Sequence, residues 1–185
     1  MASFKHHPLV RLTTALPLLL LLLPGWLAAQ TGNPLLITAE DRCGFERVDD
    51  NSLPLAIERC LEAAEDGDSQ AQFELGDLYY QGDRVDQDYT QALDWLEEAS
   101  VQGHPTAQYR LGMMHYQGEG VDRNLAQAYI ILKMSAVNGE DAAMDASDRI
   151  ALQMNQEELQ VATQLLSTLF RNYLEQLREE QLQGR

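Results

Sequence analysis

The stretch that decides the fold is residues 71–103, AQFELGDLYYQGDRVDQDYTQALDWLEEASVQG, which returns thirty-six residues later as residues 107–139, AQYRLGMMHYQGEGVDRNLAQAYIILKMSAVNG. Fourteen of the thirty-six paired positions are identical. Ala71 falls on Ala107, Leu75 and Gly76 on Leu111 and Gly112, Gly82 on Gly118, Val85 on Val121, Ala92 on Ala128, and Gly103 on Gly139. A period of this length, with glycines and small residues in register, marks stacked supersecondary units that share a continuous core.

Within each unit the apolar spacing is helical. Ala71, Leu75, Leu78 and Tyr79 make one stripe, and Gly76 removes a side chain where a second helix must come close. Gly82 and the residues up to Asp86 end the first helix and turn the chain. Ala92, Trp95, Leu96 and Ala99 then repeat the stripe, and Gly103 stops it. The unit is a pair of antiparallel helices joined by a short loop.

The pattern Ala71, Leu75-Gly76, Tyr79, Gly82, Val85, Ala92, Trp95, Ala99, Gly103 resembles the Sel1-like repeat, a relative of the tetratricopeptide repeat. The second copy matches at Ala107, Leu111-Gly112, Gly118, Gly120-Val121, Ala128, Ala136 and Gly139, with His115 for the usual Tyr and Ile131 for the usual Trp. The resemblance implies an all-α fold, a short right-handed α-solenoid of helix pairs, and a role as an exported bacterial adaptor or scaffold that binds another protein. It also implies that the first helices line a concave face, into which Phe73, Asp77, Tyr80, Tyr109, Met113 and Tyr116 point. Their i, i+4, i+7 spacing puts each trio on one helix face. Aromatic and methionine side chains there suit a helical or extended peptide; the alternative is burial against the next repeat.

The flanks read as caps. Residues 52–67 look like the second half of a repeat, opened by Asn51 or Ser52 with Pro54, and Cys60 takes the inward slot of Leu96 and Leu132. Beyond Gly139 the unit degenerates: Ala142, Ala143 and Ala146 survive, but Ser147-Asp148 replaces the Leu-Gly pair. Asn155 with Glu158 then opens a long helix whose Leu159, Ala162, Leu166, Leu169, Tyr173 and Leu177 form a face to cover the stack; Leu165, Phe170 and Leu174 broaden it toward a docking stripe. The expected layout is full repeats at 71–106 and 107–142 within a domain spanning 52–180, caps at 52–67 and 143–180, and a polar, frayed tail closing at 181–185.

Residues 1–29 read as an export signal: Lys5 and Arg11 precede an apolar run at 18–23, Pro24-Gly25 breaks it, and Ala28-Ala29 precede Gln30. The apolar run is shorter than the ~20 residues of a spanning helix, which favours cleavage near Gln30 over an anchor. Export places the irregular segment 30–51 in an oxidising compartment, where Cys43 and Cys60 form an even pair suited to a disulfide; two reduced thiols, with Cys60 a core residue, are the alternative. A chain from Gln30 carries 11 basic and 29 acidic residues, a net −18, against −16 for all 185 residues. Such a surface repels phosphate backbones and anionic lipid.

No catalytic constellation emerges. His104 precedes Pro105 in a turn, where exposure is expected, and His115 holds a repeat core position. Motifs of zinc hydrolases, serine nucleophiles, phosphate loops and calcium loops are absent, so no cofactor and no metal is expected. Two narrower readings come from family relatives: a structural part of an envelope machine, as in the flagellar motor protein MotX, or a beta-lactam hydrolase of the cysteine-rich type. This chain lacks the cysteine pair in each repeat that marks the latter.

Overall fold

Ala71, Leu75, Ala92, Leu96, Ala107 and Leu132 have essentially no exposed surface, and they sit where the repeat pattern puts them. In the computed structural model, which describes residues 43–183, they close a stack of antiparallel helices with no strand among the described residues. The signal segment 1–29 and residues 30–42 lie outside the described residues. A 3-10 turn (Phe45–Arg47) precedes α1 (Leu53–Glu65), α2 (Ser69–Gln81), α3 (Tyr89–Val101), α4 (Pro105–Gln117), α5 (Leu125–Val137), α6 (Asp141–Ala151) and α7 (Gln156–Gln183). Helices α2 and α3 form one tight pair and α4 and α5 the next; α1, α3 and α5 each pack on the helix that follows.

The pairs close on glycine. A Cβ added to Gly76 would lie 2.6 Å from Leu96 Cγ, and one added to Gly112 would lie 2.7 Å from Leu132 Cγ. Both leucines are fully buried. Gly82 caps α2 at φ 67 and Gly118 caps α4 at φ 79, a left-handed conformation that any side chain strains. Asp68 and Asp88 cap the starts of α2 and α3, each carboxylate accepting two backbone N–H bonds.

The helix starts show one departure and one agreement. Ser52 stands at the N-cap of α1 but makes no side-chain cap; Asp49 Oδ1 accepts the Ser52 N–H instead, at 2.8 Å. At α7 the capping box is closed in both directions: Glu158 N donates to Asn155 Oδ1 at 2.9 Å, and Asn155 N donates to Glu158 Oε2 at 3.0 Å.

Cys43 and Cys60 form a disulfide with Cα atoms 5.1 Å apart, tying the chain before α1 onto that helix. Arg84, from the loop between α2 and α3, adds a second tie. Its guanidinium donates to the carbonyl of Phe45 and, at 3.0 Å each, to the Val48 carbonyl and Asp50 Oδ1. Cys43 N also donates to Glu74 Oε2 at 2.7 Å.

The C-terminal cap differs from expectation. Ala162 and Leu166 are buried at 1% and 9% exposure, but Leu169 is 40% and Tyr173 55% exposed, so the covering face stops short. The reason is local. Asp148 stands at the position of Gly76 and Gly112, and its carboxylate pairs with Lys133 at 2.8 Å while staying largely exposed. A leucine cannot close over it without burying the charge. Helix α7 therefore takes α5, rather than α6, as its main neighbour. The segment expected to fray is helical as far as Gln183.

Two stability outcomes follow from these contacts. Gly76→Ala should lower unfolding free energy by about 1–3 kcal/mol in urea titrations, because overpacking against Leu96 outweighs the better helix propensity of alanine. Reducing the disulfide, which closes a separation of 17 residues, should cost about 3 kcal/mol by chain entropy, read as a fall in melting temperature with reductant.

Candidate partner-binding surface

The six positions expected on a concave face fall on α2 and α4, and all six are half-buried. The first trio is bound to residues of the second repeat. The Phe73 ring stacks on His104 with centroids 4.7 Å apart and planes 19° from parallel. Asp77 Oδ1 accepts from Arg110 at 2.6 Å, and the Arg110 guanidinium lies 4.6 Å from the centre of the Tyr80 ring. Tyr80 in turn donates its hydroxyl to Glu119 Oε2 at 3.0 Å; burial first, and then this bond, push its pKa up. The second trio leans on the next unit. Tyr109, Met113 and Tyr116 pack at the edge of the core shared with α5, α6 and α7, and the Tyr116 hydroxyl meets Gln153.

Part of each side chain thus serves the contact between successive first helices, and part remains open to solvent. Beside Phe73 and Asp77 a cleft of about 250 Å³ opens, lined also by Phe45, Glu46 and Asp83. Its walls combine two aromatic rings and the Arg84 side chain with four carboxylates, of which Asp77 is paired with Arg110 and Glu74 accepts the Cys43 N–H.

His104 is not the exposed turn residue expected from its place before Pro105. It is half-buried at the N-cap of α4, where Nδ1 accepts the Ala107 N–H at 3.2 Å. Its Nε2 lies 2.9 Å from Gln70 Oε1, Gln70 Nε2 donates to Glu74 Oε1, and Glu74 Oε2 holds the Cys43 N–H. Since a backbone N–H can only donate to Nδ1, the ring is neutral with its proton on Nε2. This chain of bonds runs from the second repeat to the disulfide. His115 fills its expected core slot at 3% exposure, with neither ring nitrogen in a protein hydrogen bond.

Sequence reasoning missed a pair of buried glutamines. Gln72 Nε2 donates to the Ala64 carbonyl at the end of α1, and its Oε1 accepts from Gln102 at 2.7 Å. Thirty-six residues on, Gln108 donates to the Ser100 carbonyl and accepts from Asn138 at 2.8 Å. Each glutamine thereby joins the ends of three successive helices. The signal was present: Gln72 and Gln108 are identical polar residues at the edge of an apolar stripe.

Comparison with known proteins agrees with this geometry. A profile described as Sel1 repeat matches residues 69–104 and 105–139. Residues 69–139 are two Sel1 repeats. A 39-residue stretch is 46% identical to the secretory immunoglobulin A-binding protein EsiB of Escherichia coli O6:H1, covering 21% of this chain and 8% of that protein. Among solved structures, a protective antigen of uropathogenic Escherichia coli with an SLR fold superposes with a TM-score of 0.63 at 30% identity, over 69% of this chain and 27% of that one. A Sel1 repeat protein from Oxalobacter formigenes gives a TM-score of 0.51 at 28% identity, over 58% and 43%. The chain thus spans less than half of each of these relatives.

Burial holds the imidazoles of His104 and His115 below the ordinary value of 6.5. The folded protein therefore resists protonation that the unfolded chain accepts. Stability is full above about 6.5 and falls as pH drops below it toward the folded values. Replacing His104 by Asn keeps a capping oxygen without a titrating ring. Melting temperature should then fall less between pH 7 and pH 5 in His104→Asn than in the wild type, the remaining slope coming from His115; an unchanged slope would refute the assignment.

Proposed function

We propose that this protein is an exported, non-catalytic adaptor that holds a protein partner along the concave face formed by α2 and α4. The observation that carries the reading is the row of half-buried Phe73, Asp77, Tyr80, Tyr109, Met113 and Tyr116. Packing of the Ala, Leu and Gly positions fully accounts for the repeat, whereas these six keep accessible aromatic, sulfur and carboxylate surface. The rotamers of Phe73, Asp77 and Tyr80 are held in advance by the Phe73–His104 stack, the Asp77–Arg110 pair and the Tyr80–Glu119 bond, so little of their side-chain freedom is lost on binding.

The partner segment is basic or neutral. The formal charge of −16 steers acidic partners and nucleic acid away, and the cleft beside Phe73 presents Glu46 and Asp83. Support for an extracytoplasmic site comes from the Cys43–Cys60 disulfide. No helix among the described residues is long and apolar enough to cross a membrane. A relative named for binding secretory immunoglobulin A fits a protein-binding role for such repeats.

The test is crosslinking and capture from intact cells with the wild type and a Tyr80→Ala/Tyr116→Ala variant, after circular dichroism has shown both to be folded. The variant should lose the partner, with binding weakened about 10-fold or more, and recovery of a soluble form beginning near Gln30 from the extracytoplasmic fraction should accompany it. A folded variant that keeps every partner would overturn the concave-face assignment.

A further inference from the structure

Helix α7 echoes the second helix of a repeat and then departs from it. Ala162 and Leu166 stand thirty-four residues after Ala128 and Leu132 and are buried like them. On the same offset Tyr173 takes the place of Gly139, the positive-φ glycine that follows the end of α5. With no glycine to stop it, α7 continues ten residues beyond Tyr173, to Gln183. The helix is 28 residues long, about 42 Å, whereas the 13 residues of α5 cover about 20 Å.

Helix α7 begins at the far end of α6 and runs back toward the Val137 end of α5, so its second half extends past its neighbour. The apolar side that buries Ala162 and Leu166 against α5 does not end there. Leu169, Phe170, Tyr173 and Leu174 continue the same side of the helix at three- and four-residue spacing, and Leu169, Tyr173 and Leu174 are 40%, 55% and 63% exposed. Facing them, Val101 and Val137, at the equivalent ends of α3 and α5, are 87% and 62% exposed. Between these walls lies a cleft of about 480 Å³.

We infer that this surface pairs two copies of the chain, each α7 laying its second half antiparallel along the other about a two-fold axis, with Val101 and Val137 as the floor. Three observations select a second copy. The surface continues an interface the chain already makes with itself, so the same apolar stripe is complementary to helix packing. A two-fold pair presents the same stripe from both sides, and each covers what the other lacks. Charge decides against the alternatives. Residues 171–185 hold three Arg and three Glu, whereas the rest of the chain holds 10 basic and 26 acidic residues. The C-terminal end of the chain is therefore a place where two such acidic molecules meet without like-charge repulsion. A basic partner would be drawn to the acidic faces elsewhere.

Sedimentation equilibrium of the full folded chain tests this with charge-matched variants. Tyr173→Glu/Leu174→Glu and Gln164→Glu/Thr168→Glu each add two negative charges, but Gln164 and Thr168 lie on the side of α7 opposite Tyr173. The wild type should be a dimer; the Tyr173/Leu174 variant should raise the dimer dissociation constant about 10-fold or more, while Gln164→Glu/Thr168→Glu leaves it within about 3-fold. All the substituted side chains are exposed, so the fold is kept. A wild type that stays monomeric near 1 mM assigns the stripe to a different protein and overturns the proposal. A dimer that the Tyr173/Leu174 variant leaves intact, or that both variants weaken equally, overturns it as well.

Discussion

Helix pairs in this protein exist because a leucine can sit on a glycine. Leu96 over Gly76 and Leu132 over Gly112 bring the second helix of each pair so close that even one methyl group does not fit. Everything else in the repeat serves that approach. Alanines at 71, 92, 107 and 128 keep the neighbouring surface thin, and the left-handed glycine caps at 82 and 118 turn the chain back to make the contact. Buried Gln72 and Gln108 then tie the helix ends that such close packing would leave with unpaired backbone groups.

The same constraint explains where the stack ends. Asp148 in the glycine slot forbids the leucine contact, and Ser147 in the leucine slot removes apolar bulk from α6. With that seat lost, α7 rests on α5. Helix α5 is accordingly apolar on almost every side, with Tyr129, Ile130, Ile131, Leu132 and Met134 in succession or nearly so, because α4, α6 and α7 all pack against it. At the other end the disulfide and the Arg84 bonds hold the chain before α1 against its neighbours, and the core closes over Leu53, Cys60 and Leu78.

Across α2 and α4, the residues proposed for partner binding also hold the two repeats together. Asp77, Tyr80 and Arg110 join α2 to α4, and the Phe73–His104 stack connects the groove to the N-cap of α4 and, through Gln70 and Glu74, to Cys43. Phe73 is thus joined by an unbroken line of contacts to the helix start and to the disulfide-bonded segment. The surface has few independently movable side chains, which suits a preorganised scaffold.

The sequence by itself determined the helix pairs, their period and their inward residues, because an exact offset of thirty-six and a 3.6-residue apolar rhythm depend only on local geometry. It also carried the capping box at Asn155 and Glu158 and the burial of Cys60 and His115, each a matter of position within the unit. Tertiary structure decided the rest. The Arg84 ties and the Phe73–His104 stack join residues more than thirty positions apart, and the capping role of His104 needs the neighbours that fix its ring. How far α7 is covered depended on which helix it rests upon. A stripe of leucines reads the same whether a neighbour covers it or not; only the place where α5 ends separates the buried half from the exposed one.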